Sequence, residues 1–542
     1  MKEIFTKIGK FLLLPFSHHF LFLISFFILA TSPYILKQVV FFDNYLYSLF
    51  IATHCIAISY FITLAICLIT NQTLRFIIEA ILIGISAILF SLNIYCLFEL
   101  GGLIDADYLM LILGTNPHEA KEFANTMLPK GIIIAVSATY CLLLILWALS
   151  QKVHYSFGKK TLYVLLAFVC LCSVESIHNK SLLLDGPIQH FSDLFNNLSQ
   201  YEIPDESQLS HSSPTIVANT DEVTPPYFVL IIGESFARYH SSIYGYDKLT
   251  NPILGGLKDS SFLFRFDSID APAPTTSLAL EFVLSTYRKD NVKNKDKKWF
   301  EYLTVIDLMK ACGYDCYWFS NQARTGQFNY IARAFAECCK ENHFYQREGP
   351  IHNNQMIDII LVDSTSNIVN TMNPAKNHFI IYHLMGSHFD YSMRYPNEFA
   401  HFSEKDYSTY PQQQRSILAS YDNSILYNDY VVEQIINLYK DREALVIYLP
   451  DHGLDMYRSS SDYHAHGKMN DPISYAYGVQ IPFMIYASAL YQEKHPDTMQ
   501  RIKYRQDHPK AWNSDDLPYF IMDLIGVQEI NGEGVQSKSI LN

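Results

Sequence analysis

The sequence predicts an N-terminal α-helical transmembrane domain followed by a large α/β domain, and three observations carry this prediction. Long apolar stretches are concentrated in the first 178 residues. After residue 226, short apolar runs typical of buried strands alternate with helix-like segments. Two of these runs end in acidic and histidine residues, at the place where open α/β sheets bind their ligands.

Five apolar stretches are candidates for helices that cross a bilayer, which takes roughly 17 to 25 residues each. They are residues 20–36, 45–70, 76–98, 131–149 and 161–174. The last is the weakest, because it is short and is followed by Glu175. We therefore predict a transmembrane domain of five helices over residues 1–178.

Lysine and arginine mark the cytoplasmic side of short membrane loops, and here they occur in alternate loops. The residues that predict this side are Lys2, Lys7, Lys10, Arg75, Lys152, Lys159 and Lys160. The loop 101–130 instead carries Asp105, Asp107, Glu119 and Glu122. The N-terminus is thus expected inside, and an odd number of spans places everything after residue 178 outside.

A polar segment, residues 179–226, separates the membrane part from the rest and is expected to be a linker. We expect residues 227–542 to form one α/β domain. Its predicted strands are 227–232, 315–320, 379–384, 445–449 and 482–486, and its clearest predicted helices are 302–311 and 424–439.

Charge and cysteine usage narrow the function classes. The net charge of −13 and the lack of a basic stripe argue against a nucleic-acid partner. Four of the ten cysteines fall in the outer domain, where an oxidising compartment permits disulfides. They are Cys312, Cys316, Cys338 and Cys339. Either one bridge between the first and second pair or free thiols fits the sequence.

Two predicted strands end in residues that bind metals. Glu234 follows the apolar run 227–232, and Asp451-His452-Gly453 follows the run 444–450. Alone, Glu234 could be an acid in the first turn of a helix. Aspartate and histidine together at the mouth of a buried strand seldom serve packing alone, and with a glutamate they suit zinc. The two motifs together predict a metallohydrolase-like site.

Histidines near the ends of other segments are further candidates. His383 lies on a predicted strand, where a structural role explains it equally well, whereas His388 lies in the following Gly-Ser turn. His464 and His466 alternate along an extended segment, so they share one side of it. The two could be a polar loop with no role, or one of them could contact a metal or phosphate.

A hydroxyl nucleophile is available before the helix-like stretch 278–284. Thr275 and Thr276 would stand at the helix N-terminus, where unpaired amides favour an oxyanion or phosphate. Either threonine could instead be only an N-cap. Metal coordination would lower the pKa of the hydroxyl and activate it.

An ordered series of motifs resembles the bacterial phosphoethanolamine transferases over nearly the whole chain. The series comprises 229–238 (VLIIGESFAR), 244–246 (YGY), 250–252 (TNP), 383–388 (HLMGSH), 394–396 (RYP), 421–423 (YDN), 427–430 (YNDY) and Asp451-His452-Gly453. The resemblance implies five membrane helices of the bacterial inner membrane. It also implies a periplasmic domain of the alkaline phosphatase and sulfatase type.

Carried over to this chain, the resemblance implies the following roles. Glu234, Thr276, Asp451 and His452 would bind the catalytic Zn2+, and Thr276 would be the nucleophile, preferred over Thr275 for its spacing to the following helix. His388 and His466 would lie at the phosphate or at a second zinc position. The donor would be phosphatidylethanolamine, the acceptor lipopolysaccharide, and the enzyme a membrane-embedded monomer without a nucleic-acid partner.

Departures from the family pattern concern the acceptor and the second metal. The loop 273–276 lacks the cysteines usual in the branch that modifies lipid A, and with Asn321-Gln322 it looks closer to the branch that modifies the inner-core heptose. Leu454 stands where relatives commonly have an acid after Asp-His-Gly. Asp455 is the residue that could compensate.

Three other functions compete with this interpretation. A phosphoglycerol transferase of the lipoteichoic acid synthase type would share the fold and the threonine. A sulfatase fits less well, because its Cys-x-Pro-x-Arg pattern is missing. A non-catalytic membrane sensor could retain the fold, although the complete set of Glu234, Thr276, Asp451 and His452 argues against it.

Overall fold

A computed structural model of the chain describes most of its 542 residues. The described residues are 2–42, 45–99, 102–104, 157–178, 192–194, 214–218, 224–293, 297–324, 330–346, 357–461, 464–468 and 471–542, with the single positions 109, 137, 138, 140, 141, 145 and 190. The chain forms two compact units: the described residues up to 194 belong to the first, and those from 214 onward belong to the second.

The N-terminal unit consists of helices. They are α1 (Lys2–Leu12), α2 (Leu14–His18), α3 (Phe20–Phe42), α4 (Tyr45–Cys67), α5 (Gln72–Glu99) and α6 (Lys159–His178). Helix α3 packs on both α4 and α5, and α6 packs on α4. Inside this unit, Nδ1 of His19 and Oε1 of Glu79 form a buried ion pair at 2.6 Å.

Three of these helices are long and apolar enough to cross a membrane, within the part of the chain that the structure describes. They contain the stretches Phe20–Val39, Tyr45–Cys67 and Gln72–Leu97. The predicted span 131–149 lies outside the described residues, apart from five single positions. The predicted span 161–174 lies within α6, which does not reach the apolarity of the other three. The count of five spans therefore stays a prediction.

The C-terminal unit is built around a seven-stranded sheet in the order β3-β11-β8-β2-β7-β5-β6. These strands are β2 (Tyr227–Gly233), β3 (Leu263–Phe266), β5 (Tyr314–Ser320), β6 (Glu341–Phe344), β7 (Asn377–His383), β8 (Ala444–Pro450) and β11 (Phe483–Ala487). Strand β11 runs antiparallel to both of its neighbours, and the other pairs are parallel. All five predicted strands are confirmed.

Short strands complete this unit. They are β1 (Ile216–Ala218), β4 (Ile269–Asp270), β9 (Asp455–Met456), β10 (His464–Ala465), β12 (Trp512–Asn513), β13 (Val527–Ile530) and β14 (Glu533–Gly534). Strand β1 lies inside the predicted linker but pairs antiparallel with β13, so this part of the segment belongs to the α/β fold. The limits of the predicted domains otherwise stay predictions.

Helices cover both faces of the central sheet. They are α7 (Pro252–Asp259), α8 (Thr276–Val283), α9 (Val305–Ala311), α10 (Tyr330–Glu337), α11 (Ile359–Thr371), α12 (Gln412–Asn437), α13 (Pro472–Val479), α14 (Ala489–Lys494), α15 (Pro496–Asp507) and α16 (Leu517–Leu524). The sequence of β2 is apolar throughout because both faces of this strand are buried. Phe228 and Leu230 pack into the core on one face of the sheet, and Val229 and Ile231 pack into the core on the other face. Because β8, β2 and β7 are parallel neighbours, their carboxyl ends lie at the same edge of the sheet.

Candidate functional site

The site forms where β2 and β8 end side by side. The two strands are parallel neighbours, with Gly233 opposite Pro450, so the residues that follow them emerge together. Glu234 follows β2, and Asp451 and His452 follow β8. All three side chains are buried, and each offers a ligand atom within 4.8 Å of the others. The fold thus brings Glu234 together with two candidate ligands that follow it by more than two hundred residues in the sequence.

Hydrogen bonds around Ser235 orient the two carboxylates. The hydroxyl of Ser235 donates to Oε1 of Glu234 at 2.7 Å, and its backbone N–H donates to Oδ1 of Asp451 at 3.1 Å. The backbone N–H of His452 also donates to Oδ1 of Asp451, at 2.7 Å. Oδ2 of Asp451 is buried without a hydrogen-bond partner among the described residues.

A hydrogen bond from Nδ1 orients the imidazole of His452. Its Nδ1–H donates to the carbonyl of Gly453 at 2.7 Å. Nε2 therefore faces the two carboxylates, 3.4 Å from Oε1 of Glu234 and 3.5 Å from Oδ2 of Asp451. A histidine held in this way at one nitrogen presents the other nitrogen to a metal, which binds there in place of the proton.

The pKa values of Asp451 and His452 are both raised, which means that this buried group of side chains favours additional positive charge. Burial raises the pKa of Asp451 to about 7, and the charge of Glu234 adds to the rise. Burial disfavours the charged form of His452, but the two carboxylates outweigh it and raise its pKa to about 9. Burial likewise opposes ionisation of Glu234, but its hydrogen bond to His452 and the charge of His452 lower its pKa.

The donor set fits a divalent cation. Two carboxylates and one neutral imidazole match the ligands of zinc. A cation among them would satisfy the unpartnered Oδ2 of Asp451 and would replace the protons that Asp451 and His452 otherwise hold.

Thr276 stands beside these three ligands. It is the first residue of α8, and Thr275 is the N-cap, whose side chain makes no capping hydrogen bond. Oγ1 of Thr276 lies 3.3 Å from Oε2 of Glu234 and 3.4 Å from Nε2 of His452. The predicted nucleophile thus meets the predicted ligands at a helix N-terminus, where amide groups favour phosphate oxygens.

Two of the candidate histidines accompany this group. The ring of His466 lies 4.7 Å from the ring of His452, and burial lowers its pKa to about 3. Burial lowers the pKa of His388 to about 4, against the opposing charge of Glu234. Nδ1 of His388 is buried without a hydrogen-bond partner among the described residues. Both rings are therefore neutral at neutral pH.

Other candidates have structural surroundings. The ring of His464 stacks on Tyr457 at 5.0 Å. Nδ1 of His383 lies 3.4 Å from the hydroxyl of Ser320. Oδ1 of Asp455 accepts the backbone N–H groups of Arg458 and Ser459, and Oδ2 accepts the hydroxyl of Ser459. Asp455 therefore holds its own turn, and the expectation that it compensates for Leu454 stays a prediction.

The cysteines of this unit are free in the structure. Cys312, Cys316, Cys338 and Cys339 all fall within the described residues, and none forms a disulfide. Burial raises the pKa of Cys316 to about 12 and that of Cys312 to about 11. These thiols behave as apolar core groups and take no part in the site.

One buried acid beside the site was missed by the sequence interpretation. Asp358, which precedes α11, is fully buried and accepts the backbone N–H groups of Met385 and Gly386 at 2.9 and 2.8 Å. From sequence it resembles an N-cap, but its side chain does not cap its own helix. No sequence signal connects it with a turn that lies 27 residues away.

A family model decides the superfamily. The sulfatase model matches residues 226–527, more than half of the chain. The chain belongs to the sulfatase family. The fold is accordingly a sulfatase-like α/β domain preceded by apolar helices, and the matched range contains all of the ligands just described.

Curated relatives of this sulfatase-family chain extend into its N-terminal part. Phosphoethanolamine transferase EptC of Escherichia coli (strain K12) is 25% identical over 486 residues, which cover 84% of this chain and 81% of the relative. Phosphoethanolamine transferase CptA of Salmonella typhimurium is 26% identical, with the same coverage of both chains.

Solved structures agree with the fold. The C-terminal periplasmic domain of EptC from Escherichia coli, in complex with Zn, has a TM-score of 0.53 at 26% identity and covers 60% of this chain and 90% of its own. The integral membrane lipooligosaccharide phosphoethanolamine transferase A from Neisseria meningitidis has a TM-score of 0.64 at 17% identity. That comparison covers 96% of this chain and 97% of the other, so the likeness in fold includes the membrane part.

Proposed function

We propose that the chain transfers phosphoethanolamine from phosphatidylethanolamine to lipopolysaccharide through a phosphothreonine at Thr276. The relatives in E. coli and Salmonella bear the name phosphoethanolamine transferase. A further Salmonella typhimurium relative, 26% identical over 56% of this chain, is named for transfer to Kdo(2)-lipid A. The inner-core heptose is the acceptor that we favour, because the loop at 273–276 lacks cysteine.

One observation carries the proposal: Oγ1 of Thr276 lies within 3.4 Å of both Glu234 and His452 at the start of a helix. The residue in the position to cap α8 is Thr275. The hydroxyl of Thr276, one residue later, instead faces the side chains of Glu234 and His452. This is the placement that a nucleophile for phosphoryl transfer requires.

Glu234, Asp451, His452 and Thr276 would hold Zn2+, whose charge would stabilise the phosphoryl oxygens and lower the pKa of the Thr276 hydroxyl. Oγ1 of Thr276 then attacks the phosphorus of the donor, and diacylglycerol leaves with a proton. The backbone amides at the N-terminus of α8 would orient the phosphoryl oxygens. In the second half-reaction, an acceptor hydroxyl attacks the same phosphorus and restores Thr276.

His388 and His466 suit the binding of the phosphoryl group. Burial keeps both imidazoles neutral, so each can donate one N–H hydrogen bond to a phosphoryl oxygen. We assign them to the phosphate, and the alternative of a second zinc position is decided by metal stoichiometry.

Membrane attachment suits both substrates. The donor and a lipid-anchored acceptor lie in or at the bilayer, and three described helices have the length and apolarity of membrane spans. We propose an inner-membrane, multi-pass protein whose residues 227–542 face the periplasm. One chain supplies every residue of the site, which supports a functional monomer.

The proposal is tested with purified full-length protein in two steps. Incubation with phosphatidylethanolamine alone should place phosphoethanolamine on the peptide that contains Thr276, detected by mass spectrometry, and release diacylglycerol. Addition of lipopolysaccharide should move the group to the acceptor. Thr275→Ala is the matched control and should still carry phosphoethanolamine on Thr276. The proposal would be contradicted if the group were found on Thr275, or if zinc-loaded wild type carried no phosphoethanolamine.

The same experiment separates the competing functions. A phosphoglycerol transferase would form its adduct from phosphatidylglycerol, and a sensor would form none from either lipid. Mass spectrometry of lipopolysaccharide from a deletion strain then locates the missing phosphoethanolamine on core heptose or on lipid A.

A further inference from the structure

We propose that Asp358 is a positioning residue, which holds the turn 385–388 against Glu234 and thereby sets the place of His388. The inference deepens the proposed function and rests on it, because His388 has a role only if the site is active. Asp358 is buried to 5% exposure and lies at the start of α11, on a different chain segment from every candidate ligand.

The carboxylate of Asp358 receives three hydrogen bonds. Oδ1 accepts the backbone N–H of Met385 at 2.9 Å and the side-chain amide of Asn321 at 2.8 Å. Oδ2 accepts the backbone N–H of Gly386 at 2.8 Å. Two consecutive backbone amides thus bind the two different oxygens of one carboxylate, an arrangement that a side-chain amide, with an NH2 group in place of one oxygen, does not reproduce.

The opposite end of the turn is held by a cation. Arg394, which is buried to 5% exposure, donates from Nε to the carbonyl of His388 at 3.1 Å and from Nη2 to the carbonyl of Phe389 at 2.7 Å. The backbone around His388 is therefore fixed from both sides. The amides of the two residues at the start of the turn donate to Asp358, and the carbonyl of His388 accepts from Arg394.

The turn also contacts the backbone of a metal-ligand candidate. The N–H of Ser387 donates to the carbonyl of Glu234 at 3.0 Å. Gly386 has φ +51°, and a Cβ there would lie 2.8 Å from the nitrogen and 2.9 Å from the oxygen of Glu234. The two backbones are in contact and share a hydrogen bond, so a turn that moved toward Glu234 would displace it, and one that moved away would break this hydrogen bond.

Asparagine is the informative replacement at position 358. Its side chain has nearly the shape of aspartate but one acceptor oxygen, so its NH2 group would face a backbone N–H of the turn. Partners of a metal ligand typically contribute 10- to 100-fold to metal affinity or activity. Asp363, exposed on the same helix α11, provides the matched control Asp363→Asn.

The experiment uses the full-length protein and two readouts, transferase kinetics and Zn2+ affinity measured against a chelator. We expect Asp358→Asn to lower Zn2+ affinity and kcat each about tenfold or more, with a much smaller change in KM. Asp363→Asn should match wild type in all three. The proposal would be overturned if Asp358→Asn had the Zn2+ affinity and kcat of wild type. It would also be overturned if the loss of kcat equalled the loss of folded protein in that variant.

A double-mutant cycle distinguishes positioning from general support of the fold. If Asp358 acts on catalysis through His388, Asp358→Asn should lower kcat little further in a His388→Ala background. Equal losses in both backgrounds would overturn this route. Asp358→Glu, which keeps the charge but displaces the turn by one methylene, provides the same cycle if the asparagine variant does not fold.

The two readouts also separate this inference from the proposed function. If wild type transfers no phosphoethanolamine but Asp358→Asn still loses Zn2+ affinity, the positioning of Glu234 holds and the proposed activity fails. If wild type is active and neither replacement at 358 changes affinity or kcat, the activity stands and the positioning role fails.

Discussion

Oγ1 of Thr276 lies 3.4 Å from Nε2 of His452, although the two residues are 176 positions apart. The hydroxyl occupies the first position of α8, and the imidazole occupies the turn after β8. Only the folded domain brings them together. Loss of the hydroxyl would therefore remove the proposed nucleophile and leave Glu234, Asp451 and His452 in place.

Thr276→Ala is expected to abolish transfer while the fold and most of the bound zinc remain, because only one of four candidate ligands is lost. Thr276→Ser should keep measurable activity, since it retains the hydroxyl. Rates are measured with phosphatidylethanolamine as donor, and zinc by elemental analysis. Substantial activity in Thr276→Ala together with loss in Thr275→Ala would move the role by one residue.

Asp451→Asn and His452→Ala are expected to lower zinc occupancy and activity together. Each substitution removes one of the three atoms that could bind the metal directly. Even residues that only support such atoms typically change metal affinity by tenfold or more. Zinc per chain and transfer rate are measured on the same preparations. Full activity in metal-stripped wild type would refute the metal-dependent mechanism.

The central strands and the meeting of Glu234, Asp451 and His452 were predictable, because parallel strands buried on both faces are continuous apolar runs and end at one edge of the sheet. Helix α12 was predicted as 424–439, but it begins at Gln412. Its first turns read Gln-Gln-Gln-Arg, and polar side chains such as Gln414 and Asp422 are buried in it, so no apolar periodicity marks its start. Helix α9 begins at Val305 instead of 302, because the hydroxyl of Thr304 caps the N–H of Asp307.

Gly478→Ala is expected to destabilise the domain by about 1–3 kcal/mol, the usual effect of overpacking, and to reduce activity. Its Cβ would lie 2.5 Å from the nitrogen of Gly467, next to His466, and 3.1 Å from Cβ of Pro274. Gly255→Ala in α7 is the control, because its Cβ would meet open space. Denaturant unfolding and transfer rate are compared; equal behaviour of the two variants would contradict the close packing.

Acid should destabilise the metal-free protein through buried histidines. Burial lowers the pKa of His464 from 6.5 to about 4, so the unfolded state takes up the proton first. The free energy of unfolding then falls as pH drops from 6.5 to about 4, by about 3 kcal/mol for this group. His464→Gln should remove this part of the dependence and so lower the slope, measured by denaturant unfolding across this range, while His388 and His466 keep their own contributions. The exposed His401→Gln should retain the wild-type slope; an unchanged slope in His464→Gln would reject the assignment.

The predicted topology is checked with an alkaline phosphatase reporter. A fusion after Asn179 should be active and a fusion after Lys160 inactive, because helix α6 lies between them and the lysines before it predict a cytoplasmic loop. The reverse pattern would place the site in the cytoplasm, away from lipopolysaccharide. The proposed acceptor would then have to be abandoned.

Asp358 shows the limit of sequence reasoning for the site. Ligands at strand ends reveal themselves by their position after an apolar run, whereas Asp358 acts on the backbone of a distant turn. Backbone amides carry no residue identity, so nothing in the motif at 383–388 indicates what binds them. The same holds for Ser235, whose left-handed backbone (φ 55°) lets it hydrogen-bond to Glu234 and Asp451 at once.

The interval of 216 residues between Ser235 and Asp451 has a consequence for biogenesis. The segment with Glu234 is synthesised long before the turn after β8, so early on it offers a cation one carboxylate and no imidazole from that turn. Under the proposed zinc-dependent function, the site can discriminate zinc from the more abundant oxygen-seeking cations only after β8 has inserted beside β2. Metal selection would then be a late event in maturation, and a fragment that ends before His452 would lack the histidine that confers it.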